Sequence, residues 1–246
     1  SKLGYLAGSF SLLTNTVIES LHKSGINIKL NSKVTSISLT EDKRIKLLCS
    51  KEAIYKDLVI FCCPQNVASN LLGKRYKRLA VDYLPYLSAT CVIIYLDKNP
   101  FNDYWINYCD EDTRALAVIN HSILFDKGEV KSFPVYIAYY HDKKDSLFFS
   151  ENRKLLIEDS IKTLNKVCLL KRKKMPLFNK KNINVFTANN AQPLIKPHLK
   201  NMENYKYPPQ NIHPDKELPI FFSNMHCVYP EDRGQNYSVK FSLATS

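Results

Sequence analysis

One histidine is placed where a side chain could do acid-base chemistry. His121 follows the predicted apolar strand that ends at Ile119, with Asn120 between them, at the point where the strand gives way to a loop. An imidazole in such a position can carry a proton or orient an anionic substrate. The alternative is a structural histidine held by hydrogen bonds, and the sequence leaves both readings open. His121 is the candidate catalytic residue.

Patterns for metal binding are missing from the sequence. The seven cysteines never form a C-x-x-C pair, and the other histidines lack the spacing of metal ligands. We therefore expect no metal site. Most of the cysteines lie inside apolar runs, which favours buried free thiols.

Glycine is too scarce to build a common phosphate-binding turn. The six glycines, at positions 4, 8, 25, 73, 128 and 234, assemble neither G-x-G-x-x-G nor a Walker loop. A backbone turn that wraps a pyrophosphate is thus not encoded in these residues.

The formal net charge of +12 favours anionic partners such as nucleic acid, a membrane surface or a phosphate-bearing ligand. The densest basic cluster, 171–174, carries no RNA-binding signature, and we interpret it as a solvated loop. No stretch approaches the roughly 20 apolar residues of a membrane span. We expect no nucleic-acid partner, no integral membrane segment and a cytoplasmic location.

A mixed set of helices and strands must position these residues. Near the start, apolar residues from Leu12 to Leu21 share a helix face, with Ser9 or Ser11 as N-cap and Gly25 after the end. Ile26, Ile28 and Leu30 alternate with polar residues and predict a strand, followed by looser strand patterns at 34–39 and 45–48.

The next stretch predicts a strand buried on both faces, because 58–63 is continuously apolar and rich in β-formers. A helix is predicted from Pro64 to Gly73. Further along, short strands separated by polar turns predict an antiparallel sheet, and a helix capped by Ser150 is expected at 151–168. The predicted strands are 89–95, 104–109, 115–119, 135–140, 182–197 and 220–223, with a last helix from Tyr237.

Three of these segments together resemble the FAD-dependent amine oxidase, protoporphyrinogen oxidase and phytoene desaturase group of flavoproteins. Two are the A-Q-P end of a strand at 191–193 and the late strand that ends Phe222-Ser223, where Asn224 and Met225 replace the family's glycine and acid. The third is the family's middle segment, matched by Gly25, Ile28, Leu30, Val34, Ile37, Asp57, Val59, Ile60 and Pro64, with Cys62 in place of the usual alanine.

The resemblance implies an α/β (α+β) fold, an incomplete FAD/NAD(P)-binding domain with an inserted antiparallel-sheet substrate domain. Residues 1–80 would form the middle part of the FAD-binding domain, 81–215 the substrate domain, and 216–246 the C-terminal part of the FAD-binding domain. The family's glycine-rich pyrophosphate turn lies nearer its N-terminus. We therefore expect this chain to be a C-terminal portion whose partner is a missing N-terminal part of the same polypeptide.

The resemblance also implies FAD as cofactor. The main chain of the residue matching Val34 pairs with adenine in the family, and the last helix points its N-terminus at the flavin pyrimidine ring. Related proteins carry a histidine near the position of His121 that faces the cavity. The residues implied to bind the cofactor are Val34, Cys63, Pro64, Ser223, Asn224, Gly234, Gln235 and Asn236.

The hypothesis is a portion of an FAD-dependent oxidoreductase, inactive alone, that acts on a small molecule. The stretch PEDRG-x-N at 230–236 resembles bacterial members linked to cell-surface sugar biosynthesis. This resemblance, together with the net positive charge, extends the hypothesis to an anionic substrate of polysaccharide or sugar-nucleotide metabolism. One alternative is a redox-neutral flavoenzyme resembling UDP-galactopyranose mutase. The other is a non-catalytic module that binds an anionic ligand.

Overall fold

A computed structural model describes residues 5–7, 9–50, 52–76, 85–124, 131–194, 220–228 and 235–245. The chain divides into two compact units, a first unit of Ser1–Tyr83 with Lys200–Ser246 and a second unit of Leu84–Leu199. Helices mix with antiparallel sheets, so the predicted α/β (α+β) class is confirmed. The predicted domain limits at 80 and 215 stay predictions, since both fall outside the described residues.

The first unit begins with helix α1, Ser9–Lys23. The Ser9 hydroxyl accepts a hydrogen bond from the backbone N–H of Ser11 (3.3 Å), in agreement with the predicted N-cap. Gly25 lies two residues past the end of the helix, and its φ of +77° suits a residue without Cβ. The N–H of Ile26 donates to the Leu21 carbonyl (3.0 Å) and closes the last turn.

A three-stranded antiparallel sheet follows, ordered β1-β2-β3, with β1 at Val34–Leu39, β2 at Ile45–Cys49 and β3 at Glu52–Lys56. The strand predicted at 26–30 is wrong, because 26–29 has no regular structure and Leu30 lies exposed in a turn. An alternating sequence pattern predicts that a strand has one buried and one exposed face, but it does not specify a neighbouring strand to pair with. No strand in the described part of the chain pairs with this segment.

A two-stranded parallel sheet joins the two parts of the first unit. Strand β4, Val59–Phe61, lies beside β10, Ile220–Phe222. Helix α2, Gln65–Tyr76, runs three residues past the predicted end. Its Ala68 and Leu72 pack with both strands in one small core, where the rings of Phe61 and Phe222 stack with centroids 5.2 Å apart.

The predicted burial of both faces of the strand before Pro64 is wrong. Strand β4 has three residues only, and Leu58 and Ile60 are exposed while Phe61 is buried. A parallel sheet needs a covering layer on each face. Among the described residues of the first unit, α2 supplies one such layer.

The second unit contains a five-stranded antiparallel sheet in the order β6-β7-β8-β5-β9. Strand β5, Tyr86–Leu96, pairs with β8 on one side and β9 on the other and buries alternate residues. The strands are β5 at Tyr86–Leu96, β6 at Trp105–Asn107, β7 at Ala117–Asn120, β8 at Phe133–His141 and β9 at Phe178–Pro193.

Helix α3, Arg153–Leu170, covers one face of this sheet. Its Leu164 is fully buried, whereas Leu155 is exposed. The predicted cap at Ser150 is wrong, because the Ser150 hydroxyl donates to the neighbouring Glu151 carboxylate (3.2 Å) inside a short 3-10 turn. The α-helix begins only after that turn.

Six cysteines are free thiols in the described part of the chain. Cys49 and Cys168 are buried, as expected from their apolar neighbours, but Cys62 and Cys109 are exposed because each lies just beyond a strand end. None of the helices in the described ranges has the length and apolar character that crossing a membrane requires.

The last helix is α4, Gln235–Thr245. It begins two residues before the predicted start at Tyr237. Gly234 lies outside the described residues.

Candidate functional site

Four of the predicted cofactor-binding residues meet at one edge of the parallel sheet. Strands β4 and β10 run in register, and the N–H of Ser223 donates to the Phe61 carbonyl (2.9 Å). Since parallel strands leave the sheet at the same edge, Cys63 and Pro64 lie beside Ser223 and Asn224. This is the edge where α/β sheets bind ligands.

A buried hydrogen bond ties this edge together. The Asn224 side-chain amide donates to Gln65 Oε1 (3.0 Å), and the two residues are only 7% and 6% exposed. Gln65 begins α2, so the bond fixes the loop after β10 against the start of that helix. Sequence reasoning assigned no role to Gln65, and its only signal was a polar residue directly after Pro64.

The electrostatics at this edge suit an anion. The first turn of α2 contains no acidic residue, so the positive end of the helix dipole is not neutralised there. Burial raises the pKa of the Cys63 thiol, which keeps it protonated at neutral pH. The edge can therefore bind a phosphate-bearing group but offers no thiolate nucleophile at Cys63.

Val34 begins β1, half-buried and opposite Cys49. The register shifts between Val34 and Ser36, so the strand is irregular at the residue predicted to meet adenine. The hydroxyl of the intervening Thr35 donates to the Leu48 carbonyl (3.1 Å). Such bulges often re-aim the backbone near binding sites, but the role of Val34 stays a prediction.

The predicted flavin-side residues are only partly described. Helix α4 starts at Gln235 and carries no acidic residue in its first turn, which leaves its N-terminal dipole positive. Gly234 lies outside the described residues, as do the side chains of Gln235 and Asn236. Their contact with a cofactor stays a prediction.

In the second unit, His121 opens a short 3-10 helix, His121–Leu124, directly after β7. Its imidazole stacks on the ring of Tyr136, with centroids 5.0 Å apart and planes 19° apart. Partial burial lowers the pKa of His121, so the ring is neutral at pH 7 and can accept a proton. Its catalytic role stays a prediction.

Asn120 holds the chain in place beside this histidine. The side chain is fully buried, and its amide donates to Asn99 Oδ1 (2.7 Å) and to the Phe101 carbonyl (2.6 Å). The side-chain oxygen of Asn120, Oδ1, accepts a hydrogen bond from the Ser122 hydroxyl. Asn120 is therefore a structural residue that positions the turn carrying His121.

The sheet face opposite α3 carries a cavity of about 460 Å³. Its floor is a row of small side chains on neighbouring strands, Cys91, Ala138 and Ala117. Burial raises the pKa of Cys91 to about 11, so its thiol is neutral. Apolar side chains line most of the cavity, which the sequence did not reveal because its residues come from five strands.

Gln192 is a second residue without an assigned role. It pairs with Leu87 on β5, two positions from Ala89, which lines the cavity. Its side-chain oxygen is buried without a hydrogen-bond partner in the described part of the chain. An acceptor in this state can take a hydrogen bond from a ligand.

A model of the protein family described as "Flavin containing amine oxidoreductase" matches residues 4–167. No curated protein matches the chain.

Several solved structures share the fold at low sequence identity. A candidate protoporphyrinogen oxidase from Exiguobacterium sp. 255-15 is 16% identical over 94% of this chain and 50% of its own, with a TM-score of 0.68. Putrescine oxidase bound to putrescine is 14% identical over 97% and 52%, with a TM-score of 0.61. Reduced UDP-galactopyranose mutase is 16% identical over 76% and 40%, with a TM-score of 0.58. The chain thus spans about half the length of these structures or less.

Proposed function

This chain belongs to the family of flavin containing amine oxidoreductases, and from that premise we propose that it is a portion of an FAD-dependent oxidoreductase acting on a small molecule. The observation that carries the proposal is the sheet edge where Cys63, Pro64, Ser223 and Asn224 meet beside the start of α2. That geometry is the one in which α/β folds bind dinucleotides. A flavin cofactor follows from the family, and FAD is the form we propose.

The residues at the edge fit such a group. Their side chains are small or polar, the positive helix end is not neutralised, and the buried bond from Asn224 to Gln65 holds the loop rigid. We place the adenosine near Val34 and Pro64, and the flavin near Gly234, Gln235 and Asn236. When bound, the flavin supplies hydride or electron transfer. Ser223 and Asn224 would position it.

Asn224 stands where the family has a glycine, and Met225 stands where it has the acid. The Asn224 side-chain nitrogen donates to Gln65, so this side chain is held within the protein. We infer that Asn224 shapes the loop, and that contact with the cofactor at this position is made by the backbone.

The first unit also exposes apolar surface that a further segment of the same protein would cover. No residue of α1 is buried, and Leu12, Leu13 and Val17 are exposed on it. Because no glycine-rich turn is encoded in the chain, we propose that the covering segment supplies the pyrophosphate turn. The first unit is then part of the FAD-binding domain, and the second unit is the substrate domain.

His121 is proposed as the proton acceptor of the reaction. Its imidazole is neutral at pH 7 because burial lowers its pKa, and stacking on Tyr136 fixes the plane of the ring. Asn120 anchors the turn that carries His121 through the two hydrogen bonds that its side chain donates to Asn99 and Phe101. An acceptor held in one orientation is what general-base catalysis requires.

Redox-neutral chemistry is the second candidate function. The chain shares its fold with UDP-galactopyranose mutase, and the net charge of +12 suits an anionic sugar nucleotide. A role in polysaccharide metabolism stays a prediction. The third candidate, a non-catalytic binding module, would keep the fold without a flavin.

An anaerobic titration of the full-length protein separates these functions. An oxidoreductase should be yellow and should lose its flavin absorbance when a suitable electron donor is added. Failure of every donor class, combined with turnover only after reduction by dithionite, would instead establish the redox-neutral alternative. A colourless purified protein would favour the binding module.

A further inference from the structure

We propose that the cavity on the open face of the second unit's sheet binds an uncharged, flat ring system, aromatic or conjugated, belonging to the substrate. The inference rests on the proposed function, since it names the substrate class of that enzyme. The cavity volume of about 460 Å³ lies within the range of small-molecule sites.

The floor of the cavity is flat because small side chains lie next to each other across the sheet. Cys91 pairs with Ala138, and Ala138 pairs with Ala117 on the next strand. On the other side, Ala89 pairs with Ala188. Short side chains in adjacent rows leave a slot above the backbone that a planar group can enter, whereas larger residues would fill it.

Aromatic side chains form the rim of this slot. Trp105 and Phe186 come from the outer strands β6 and β9 and are 53% and 59% exposed, and Tyr140 rises from β8 between them. Large aromatic side chains left exposed together at a cavity are typical of binding surfaces. Their rings can contact a flat ligand by stacking or edge-on packing.

Charge excludes the anionic alternative at this cavity. The chain carries 35 lysines and arginines, yet no charged side chain is among the residues that line the slot. Several polar groups there are bonded to one another: Asn107 Oδ1 accepts from the Trp105 indole N–H (2.8 Å), and the Thr90 and Thr187 hydroxyls bond each other (2.9 Å). A diphosphate would be buried without a countercharge, which is costly.

The chain offers a built-in reporter for this site. Trp105 is the single tryptophan of the 246 residues, and it lines the cavity. Binding of N-phenyl-1-naphthylamine, an uncharged fluorescent ring system, should quench Trp105 and sensitise probe emission through energy transfer. UDP-galactose should not displace the probe. Probe bound to other apolar surfaces would not respond to substitutions of the residues that line the cavity.

Two variants and one control make the test specific. Ala138→Phe places a ring on the floor and should weaken probe binding by about tenfold or more. Phe186→Ala removes an exposed rim ring, spares the fold, and should weaken binding severalfold. Ala53→Phe makes the same small-to-large change on the exposed face of β3 in the first unit and should leave binding unchanged.

The results separate this inference from the proposed function. Saturable energy transfer that both cavity variants weaken and Ala53→Phe does not supports the uncharged-ring site. Energy transfer unaffected by both cavity variants, or displacement of the probe by UDP-galactose, overturns it. A full-length protein that is yellow but shows no probe binding overturns this inference alone, and a colourless protein that binds the probe supports the cavity while overturning the proposed function.

Discussion

The two units differ in how far they cover their own apolar residues. In the second unit, α3 lies over one face of the sheet, and Val92, Ile137 and Leu164 are fully buried. In the first unit, α1 buries no residue at all, although its Leu12 and Val17 belong to the face that the sequence predicts as apolar.

The difference shows that an apolar pattern predicts a buried face only where the covering layer belongs to the same unit. A five-stranded sheet with one helix forms a core by itself. Two parallel strands do not, because parallel sheets are normally covered on both faces. The exposed side of the first unit is the surface that the proposed further segment would cover.

The largest expected effect tests the core of the second unit. Leu164→Ala should lower its free energy of unfolding by about 2–5 kcal/mol, because a fully buried leucine leaves a cavity. Leu169→Ala, an exposed position on the same helix, should change it by about 0.5 kcal/mol or less. Urea unfolding followed by Trp105 fluorescence reports this unit, and equal effects of the two changes would mean that α3 does not pack as described.

The sequence predicted best where a single local pattern decides the structure. The pattern of short strands separated by polar turns placed a strand at 89–95, within the observed Tyr86–Leu96. Gly25 marked the end of α1 because few residues other than glycine adopt its positive φ readily. The same reasoning failed for 26–30 and for the second face of β4, since no local pattern specifies a partner strand or a covering layer.

The candidate site was predictable only in part. Motif resemblance singled out Pro64 and Ser223, and the register of the parallel strands brings their ends together. The bond between Asn224 and Gln65 joins residues 159 positions apart, and no periodicity relates two such residues. The sequence did not predict the cavity on the second unit's sheet for the same reason, because its floor is formed by residues that strand register brings together from distant parts of the chain.

The second prediction compares how much one substitution on α1 destabilises the 246-residue chain and how much it destabilises the longer protein. Leu13→Ala should be nearly neutral in the 246-residue chain, where Leu13 is exposed. In the longer protein it should cost about 1.5–3 kcal/mol, because burial of a leucine contributes that much. Glu19→Ala on the same helix is the matched control. Thermal melts that show no difference between the two proteins would refute a covered face.

The hydrogen bond at the sheet edge should be worth somewhat less. Asn224→Ala removes the buried hydrogen bond to Gln65 Oε1 and should destabilise the first unit by about 0.5–1.5 kcal/mol. Gln65→Ala in the same background should add little, since the two side chains act as a pair. Amide hydrogen exchange of α2 measures both effects, and strictly additive losses would show that the two residues are independent.

The smallest effect concerns the ionisation of His121. Since burial lowers its pKa, the folded protein binds this proton less readily than the unfolded chain, and stability is lost as the pH falls below the ordinary histidine value. Tyr136→Ala exposes the imidazole and should raise the pKa of His121. Tyr140→Ala removes another tyrosine of β8 and should leave the pKa of His121 unchanged. An NMR titration that shows the same change in both variants would contradict the stacking role of Tyr136.

The central claim is that this chain holds part of a flavin site and depends on a further segment for the rest. Flavin absorbance after gel filtration with excess FAD measures this directly, on the 246-residue chain and on the longer protein side by side. The short chain should elute without stoichiometric FAD, because the hydrogen bonds of a pyrophosphate turn, about 1.5–3 kcal/mol each to a charged group, are absent. The longer protein should retain FAD. Stoichiometric FAD on the short chain, or a colourless longer protein, would contradict the account.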